Sequence, residues 1–149
     1  MKKLLILLAA TGLLLASSLY AAPTYVGAEK CKICHKTEYE SWSQMKHAKV
    51  LDLLTPEQQK DPKCLGCHTT GYGKTETQLA GVQCEACHGP GSEYKSPAVM
   101  KDPEKAKAAG LTLPDKAVCE TCHNKNSPNF KGFNYEEMKV KGMHAVKKK

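Results

Sequence analysis

The chain lacks arginine altogether, so lysine supplies all 22 of its basic side chains and gives a formal net charge of +7. Large aromatic residues are also scarce, with two phenylalanines and one tryptophan among 149 residues. A chain this small with so few bulky side chains cannot build a substantial hydrophobic core from polypeptide alone. Beyond the N-terminal segment there is no long apolar run, which argues against a later membrane-spanning helix. The sequence therefore predicts that something other than apolar side chains fills the interior.

The eight cysteines all lie in four copies of Cys-x-x-Cys-His, and none is left over. A disulfide framework would not space every pair by two residues, and a zinc site needs no histidine after each pair. The pattern is typical of c-type haem attachment, in which two thiols bond to the porphyrin and the next imidazole binds the iron. We therefore predict four covalently attached c-type haems. The predicted attachment residues are Cys31, Cys34, Cys64, Cys67, Cys84, Cys87, Cys119 and Cys122.

Such a chain is predicted to be mainly α with long loops, a small multihaem cytochrome c wrapped around four closely packed haems. A capping box at Thr37–Glu40 predicts a helix that runs on toward Leu54. Asp115 and Asn134 are predicted helix caps, and residues 78–82 form the best candidate for a minor strand. No linker separates the motifs, so residues 23–149 are expected to form a single domain.

Residues 1–22 are predicted to be a signal peptide. Lys2 and Lys3 precede a short apolar core at Leu4–Leu15, and Leu19–Ala21 resembles a cleavage site. An uncleaved N-terminal anchor is the alternative. Attachment of c-type haem takes place outside the bacterial inner membrane, so we expect a periplasmic protein, with an extracellular location as the other option.

The number of histidines limits how the four irons can be ligated. Each haem iron has two axial positions, and the motif histidines take one each. Only two histidines remain for four distal positions, so at least two irons must use methionine, another group, water, a partner chain's histidine or nothing. Met100, in a segment that contains proline, is the best methionine candidate. The predicted iron ligands are His35, His68, His88, His123, His47 and His144.

His47 lies twelve residues after His35. Twelve helical residues rise about 18 Å, which carries His47 away from the first haem's own distal face. We therefore expect it to bind a neighbouring haem. His144 follows the fourth motif and could fold back to the fourth haem or to its neighbour.

Several segments resemble the cytochrome c-554-like tetrahaem c-type cytochrome family. They are Tyr25-Val26-Gly27, Lys46-His47-Ala48, Cys64 to Tyr72 and Gly81 to Ser92. The resemblance implies a mostly helical periplasmic electron carrier with stacked haem pairs and a five-coordinate second haem. It also implies that His47 is the distal ligand of the haem at Cys84 and Cys87, and that His144 serves near the haem at Cys119 and Cys122.

One position departs from that family. Its members often have a histidine six residues after the third motif histidine, as a distal ligand to the first haem, and here that residue is Tyr94. Two interpretations remain open. Tyr94 is either a structural substitution, or a ferric-iron ligand or hydrogen-bond donor to a bound molecule.

The leading functional prediction is a periplasmic carrier of electrons between respiratory redox partners, with one or two haems lacking a histidine distal ligand. The alternative is a small haem redox enzyme acting on a nitrogen oxide, hydroxylamine or peroxide at an open iron, with Lys63, Lys74, Tyr72 and Tyr94 as candidate proton donors. A third is a subunit of a haem filament. Expected partners are redox proteins, with acidic surfaces favoured by the lysines. We expect no nucleic acid and no stable membrane insertion, and the oligomeric state is left open.

Overall fold

The computed structural model describes residues 21–146. The predicted signal peptide, apart from its last two residues, and Lys147 to Lys149 lie outside these residues. The described chain is rich in short helices and long loops, with little sheet, which confirms the predicted fold class. The α helices are α1 Ala28–Lys32, α2 Lys36–Ser43, α3 Pro62–His68, α4 Cys84–His88, α5 Pro97–Met100, α6 Pro103–Ala108, α7 Lys116–Glu120 and α8 Tyr135–Gly142. Two 3₁₀ helices span Lys46–Leu53 and Gln58–Lys60, and two strands are β1 Thr69–Thr70 and β2 Leu79–Ala80.

Side-chain caps fix where several helices begin. Asp115 accepts a hydrogen bond from the Val118 N–H at the start of α7, and Asn134 accepts one from Glu136 at the start of α8, which confirms both predicted caps. Asp61 caps α3 in the same way, followed by Pro62 at the first helical position, where its missing N–H costs nothing. The caps at Asp61 and Asp115 set the start of α3 and α7, the helices that carry residues of the second and fourth motifs.

The helix predicted to run from Thr37 toward Leu54 is wrong as a single element. Helix α2 ends at Ser43, the backbone is extended at Met45, and a 3₁₀ helix follows. The predicted capping box also fails, because no side chain caps α2. Two long-range contacts hold the break: the Trp42 indole donates to the Val82 carbonyl, and the Val82 N–H donates to the His47 carbonyl. Tertiary hydrogen bonds therefore override the local helix signal.

The small sheet connects the second motif to the third. Strand β1 pairs antiparallel with β2, with Thr69 opposite Ala80, so the predicted strand at residues 78–82 is confirmed for Leu79 and Ala80. Thr70 is fully buried, donates to the Gly81 carbonyl and accepts from the Gln83 N–H. These bonds fix the entry into α4.

The polypeptide buries very little of its own apolar surface. Within residues 21–146 the buried hydrophobic residues are Ala28, Leu65, Tyr94 and Ala106. Several large apolar side chains are largely exposed, among them Ile33, Leu53, Leu113 and Val140. So small a core agrees with the scarcity of aromatic residues and leaves apolar surface available to cover porphyrin. In the same part of the chain, every helix is too short or too polar to span a bilayer.

Candidate haem centres

Each motif is built on one helical turn. The His35 N–H donates to the Cys31 carbonyl over 2.9 Å, and the His123 N–H donates to the Cys119 carbonyl over 3.0 Å. Such bonds between residues four apart place the first cysteine and the histidine on the same helix face. None of the eight cysteines, all within residues 21–146, forms a disulfide. Each motif therefore presents two thiols and an imidazole to one side.

Backbone carbonyls orient two of the motif imidazoles. His68 Nδ1 lies 2.6 Å from the Val50 carbonyl oxygen, and His88 Nδ1 lies 2.9 Å from that of Thr112. A carbonyl can only accept, so Nδ1 carries the hydrogen in both rings and Nε2 is left as a lone-pair donor to a metal. The residues present therefore fit an axial haem ligand. Sequence reasoning missed Val50 and Thr112, because a backbone carbonyl leaves no residue-type signal.

The two remaining histidines each face a motif histidine. The ring centroids of His47 and His123 are 6.1 Å apart, and those of His88 and His144 are 6.2 Å apart. An imidazole nitrogen lies about 2.0 Å from a bound metal, so two imidazoles on opposite sides of one iron have centroids roughly 6 Å apart. Both pairs therefore have the spacing needed to bind one iron between them.

This pairing is the reverse of the one implied by the family resemblance. His47 faces the fourth motif rather than the third, and His144 faces the third rather than the fourth. The break at Met45 redirects His47, and its imidazole lies beside Gly142 at the end of α8, where a Cβ would be 3.9 Å from His47 Cε1. Beyond Gly142 the chain passes α2, where the Ala145 N–H donates to Ser41 Oγ over 2.8 Å. That contact holds His144 beside His88.

The environment of His47, beside the fourth motif, favours a neutral imidazole. Burial, and secondarily the neighbouring His123, lowers the pKa of His47, so its ring stays uncharged and able to bind a metal. Phe133 stacks on His123, with centroids 4.9 Å apart and planes 15° apart. Stacking of this kind restricts rotation of the imidazole. The place of Phe133 beside His123 has no sequence signal.

His47 and His144 lie beside His123 and His88, so none of the six histidines is left to pair with His35 or His68. His35 Nδ1 lies 4.0 Å from a Glu38 carboxylate oxygen. Tyr94 is buried, and its hydroxyl donates to the Gly89 carbonyl over 2.6 Å. Burial also raises the pKa of Tyr94, which disfavours a phenolate ligand. These contacts support Tyr94 as a structural substitution rather than an iron ligand.

Contacts between thiols show which motifs are neighbours. A hydrogen bond with Cys84, together with burial, raises the pKa of Cys31, so the first and third motifs adjoin. Burial and a hydrogen bond with Cys122 raise the pKa of Cys67 to about 12, which places the second motif beside the fourth. Burial and the nearby Cys119 raise the pKa of Cys87, so the third also neighbours the fourth. The spatial order of the motifs is thus first, third, fourth, second.

Comparison with known proteins agrees with this site. The family described as cytochrome c554 and c-prime matches residues 30–89. Cytochrome c-554 of Nitrosomonas europaea is 29% identical over 164 residues, covering 86% of this chain and 66% of that protein. The solved structure of reduced cytochrome c554 from the same organism superposes with a TM-score of 0.65 at 27% identity, covering 83% of this chain and 86% of the other. These similarities support a cytochrome c-554-like family for this chain.

A second relative of this cytochrome c-554-like chain is the multiheme cytochrome MtrA of Shewanella baltica, 30% identical over 65% of this chain and 23% of that protein. The chain thus spans just under two thirds of its N. europaea relative and about a quarter of MtrA. The family match covers the first three motifs, and the fourth has the same helical turn and a paired imidazole. This cytochrome c-554-like chain is therefore a multihaem c-type cytochrome with four covalently attached haems.

Proposed function

We propose that the chain is a periplasmic tetrahaem cytochrome that carries electrons between respiratory redox partners. The observation that carries this proposal is the unbroken series of neighbouring motif thiols, from the first motif through the third and fourth to the second. Bound haem iron supplies one-electron redox chemistry. The polypeptide fixes the attachment points of adjacent haems side by side, so that no part of the series is isolated.

The proposed iron ligands differ between the middle and the ends of this series of motifs. His88 with His144, and His123 with His47, would each hold one iron between two imidazoles. His35 and His68 would each supply one imidazole without a histidine opposite. The motifs with paired histidines occupy the middle of the series, and those without occupy its ends. The irons at the two ends of the series would therefore have one histidine ligand each instead of two.

Three observations support the proposed location, and two others support the proposed partners. The predicted signal peptide at residues 1–22, the chemistry of c-type attachment and similarity to the cytochrome c-554-like family all favour the periplasm. Relatives that are cytochromes imply redox-protein partners. Lysine is the only basic residue besides histidine, and a lysine-rich surface favours encounter with acidic partners at low ionic strength.

A rapid-mixing experiment on the holoprotein tests electron carrying directly. The oxidised protein is mixed with less than one equivalent of a small reductant, and the absorbance of the haems is followed as the electron redistributes. We expect all four haems to reach redox equilibrium within milliseconds, because their attachment sites adjoin. A haem that stays out of equilibrium with the others on this timescale would contradict the proposal.

The pairing of histidines also favours a second candidate function, small-molecule chemistry at an open iron. His47 and His144 are used at the fourth and third motifs, so the irons at His35 and His68 have no histidine opposite. Electron paramagnetic resonance of the oxidised protein, repeated with nitric oxide after reduction, tests this. High-spin ferric signals and new nitrosyl species establish open irons. Turnover of hydroxylamine, nitrite or peroxide no faster than by free haem would dismiss catalysis.

A further inference from the structure

Glu85, the residue after Cys84 in the third motif, is a buried carboxylate held only by backbone amides. It is 1% exposed. Its Oε1 accepts from the Gly91 N–H over 2.6 Å and from Val26 over 2.9 Å. Its Oε2 accepts from the Gly27 N–H over 2.7 Å and from Val26 over 3.0 Å. A Cβ at Gly91 would lie 3.0 Å from Oε1, so glycine permits the close approach.

This hydrogen-bond set matches an anionic acceptor at Glu85. Every partner is an N–H, which can only donate, and both carboxylate oxygens are already accepting. A protonated carboxyl would bring a donor of its own against these amides. Among the described residues, the ion pairs of lysine and histidine with carboxylates do not include Glu85, and the chain has no arginine. The negative charge is therefore balanced by amide dipoles rather than by a cationic side chain.

The charge lies between the first and third haem attachment sites. Glu85 follows Cys84 in the third motif, and its carboxylate accepts from the N–H of Gly27, the residue before α1, which contains Cys31 of the first motif. In a buried site, charges are weakly screened and interact strongly. In the holoprotein the charge of each haem iron would change with its oxidation state, being more positive when the iron is oxidised.

The other motifs carry different residues at the same position: Lys32, Leu65 and Glu120. Lys32 is about half exposed and lies 3.7 Å from the Glu29 carboxylate. Leu65 is buried and uncharged. Glu120 has the same carboxylate as Glu85, but its side chain is 46% exposed and lies 3.3 Å from Lys116. Among these four positions, only that of the third motif holds a buried charge with no cationic side chain paired to it.

We propose that Glu85 is a fixed buried anion that lowers the reduction potential of the third haem, and to a smaller extent that of the first. A buried negative charge stabilises the more positive ferric iron relative to the ferrous iron. The inference rests on the haem attachment and ligand pairing proposed above. It does not depend on which partners exchange electrons with the protein, so it can fail while the carrier function stands.

The test is a potentiometric titration of the Glu85→Gln holoprotein, with the haems distinguished by electron paramagnetic resonance. We expect the reduction equilibrium constant of the third haem to rise at least about tenfold, which equals about 59 mV for one electron. The matched control is Glu120→Gln, the same change at the same motif position. Because Glu120 is solvated and paired, we expect a change of about threefold or less at the fourth haem.

A second control separates charge from packing. Ser92→Ala removes the hydrogen bond from the Thr24 N–H to Ser92 Oγ, which ties down the same N-terminal segment, but leaves the Glu85 charge in place. We expect the potentials of this variant to match those of the wild type. An unchanged third haem in Glu85→Gln, or an equal shift in Ser92→Ala or Glu120→Gln, would overturn the proposal.

The wild-type protein provides a test that does not depend on whether Glu85→Gln folds. The third and fourth haems would each have two imidazole ligands, and of their two motifs only the third has a buried carboxylate after its first cysteine. We expect the third haem to titrate at a lower potential than the fourth, assigned by the nuclear magnetic resonance shifts of the haem methyl groups. The opposite order would overturn the proposal without any variant.

Discussion

The third and fourth motifs each face a second imidazole, whereas the first and second do not. All four share the same two cysteines and histidine. The difference comes from parts of the chain far from the motifs in sequence: the 3₁₀ helix that carries His47 and the segment after α8 that carries His144. Local sequence thus determines where a haem is attached, and the path of the chain determines whether a second imidazole faces the motif histidine.

One short C-terminal segment supports both distal histidines. The His47 imidazole lies beside Gly142, His144 faces His88, and the Ala145 N–H bonds to Ser41 Oγ. The two central haem sites are therefore mechanically linked through residues 142–145. The first and second sites have no such support, and changes in this segment should affect only the central pair.

The largest expected effect is loss of a distal imidazole. In His47→Ala the fourth haem should lose its low-spin signal, and in His144→Ala the third should lose its own, because each variant removes one of two paired rings. Electron paramagnetic resonance of the oxidised holoproteins measures this. Nitric oxide should bind one more iron in each single variant than in the wild type, and two more in the double variant.

Phe133→Leu identifies which signal belongs to the fourth haem. It removes the ring stacked on His123 and keeps an apolar side chain, so it should perturb the same low-spin signal that His47→Ala abolishes. If it instead perturbs the signal lost in His144→Ala, the pairing implied by the resemblance is right and the one described here is wrong. Loss of the same signal in both histidine variants would contradict either pairing.

The next prediction concerns Gly81, which packs against the 3₁₀ helix that carries His47. Gly81 has a φ of 78°, and a Cβ there would lie 2.6 Å from the Ala48 carbonyl oxygen and 2.9 Å from that of His47. Gly81→Ala should therefore displace the 3₁₀ helix, destabilise the holoprotein by about 1–3 kcal/mol and weaken the fourth haem's low-spin signal. Denaturant unfolding and paramagnetic resonance measure the two effects.

Gly73→Ala is the matched control for that variant. Gly73 has a φ of 71°, but no other atom would lie within 4 Å of a Cβ at this position, so the backbone strain is similar and the clash is absent. We expect Gly73→Ala to lower stability through the strained φ alone, by about 1–2 kcal/mol, and to leave the fourth haem's signal unchanged. Equal loss of that signal in both variants would show that backbone strain, and not the clash with the carbonyl oxygens of His47 and Ala48, is responsible.

The sequence predicted much of the attachment chemistry and little of the distal ligation. The motifs, the deficit of histidines, and the caps at Asp115 and Asn134 follow from local patterns, and the helix-rich fold follows from them. The partners of His47 and His144 do not, because they depend on the break at Met45, which Trp42 and Val82 hold by long-range hydrogen bonds. The buried role of Glu85 likewise depends on amides nearly sixty residues away.

The smallest effect concerns the anchor of the C-terminal segment. Ser41→Ala removes the acceptor of the Ala145 N–H, an exposed hydrogen bond worth about 1 kcal/mol. The distal position of the third haem should then open more often, so that added carbon monoxide binds the reduced third haem several times faster. Ser43→Ala is the control on the same helix, since Ser43 Oγ bonds only locally to the Glu40 carbonyl. Faster binding at the fourth haem, or equal effects of the two variants, would show that Ser41 does not specifically retain His144.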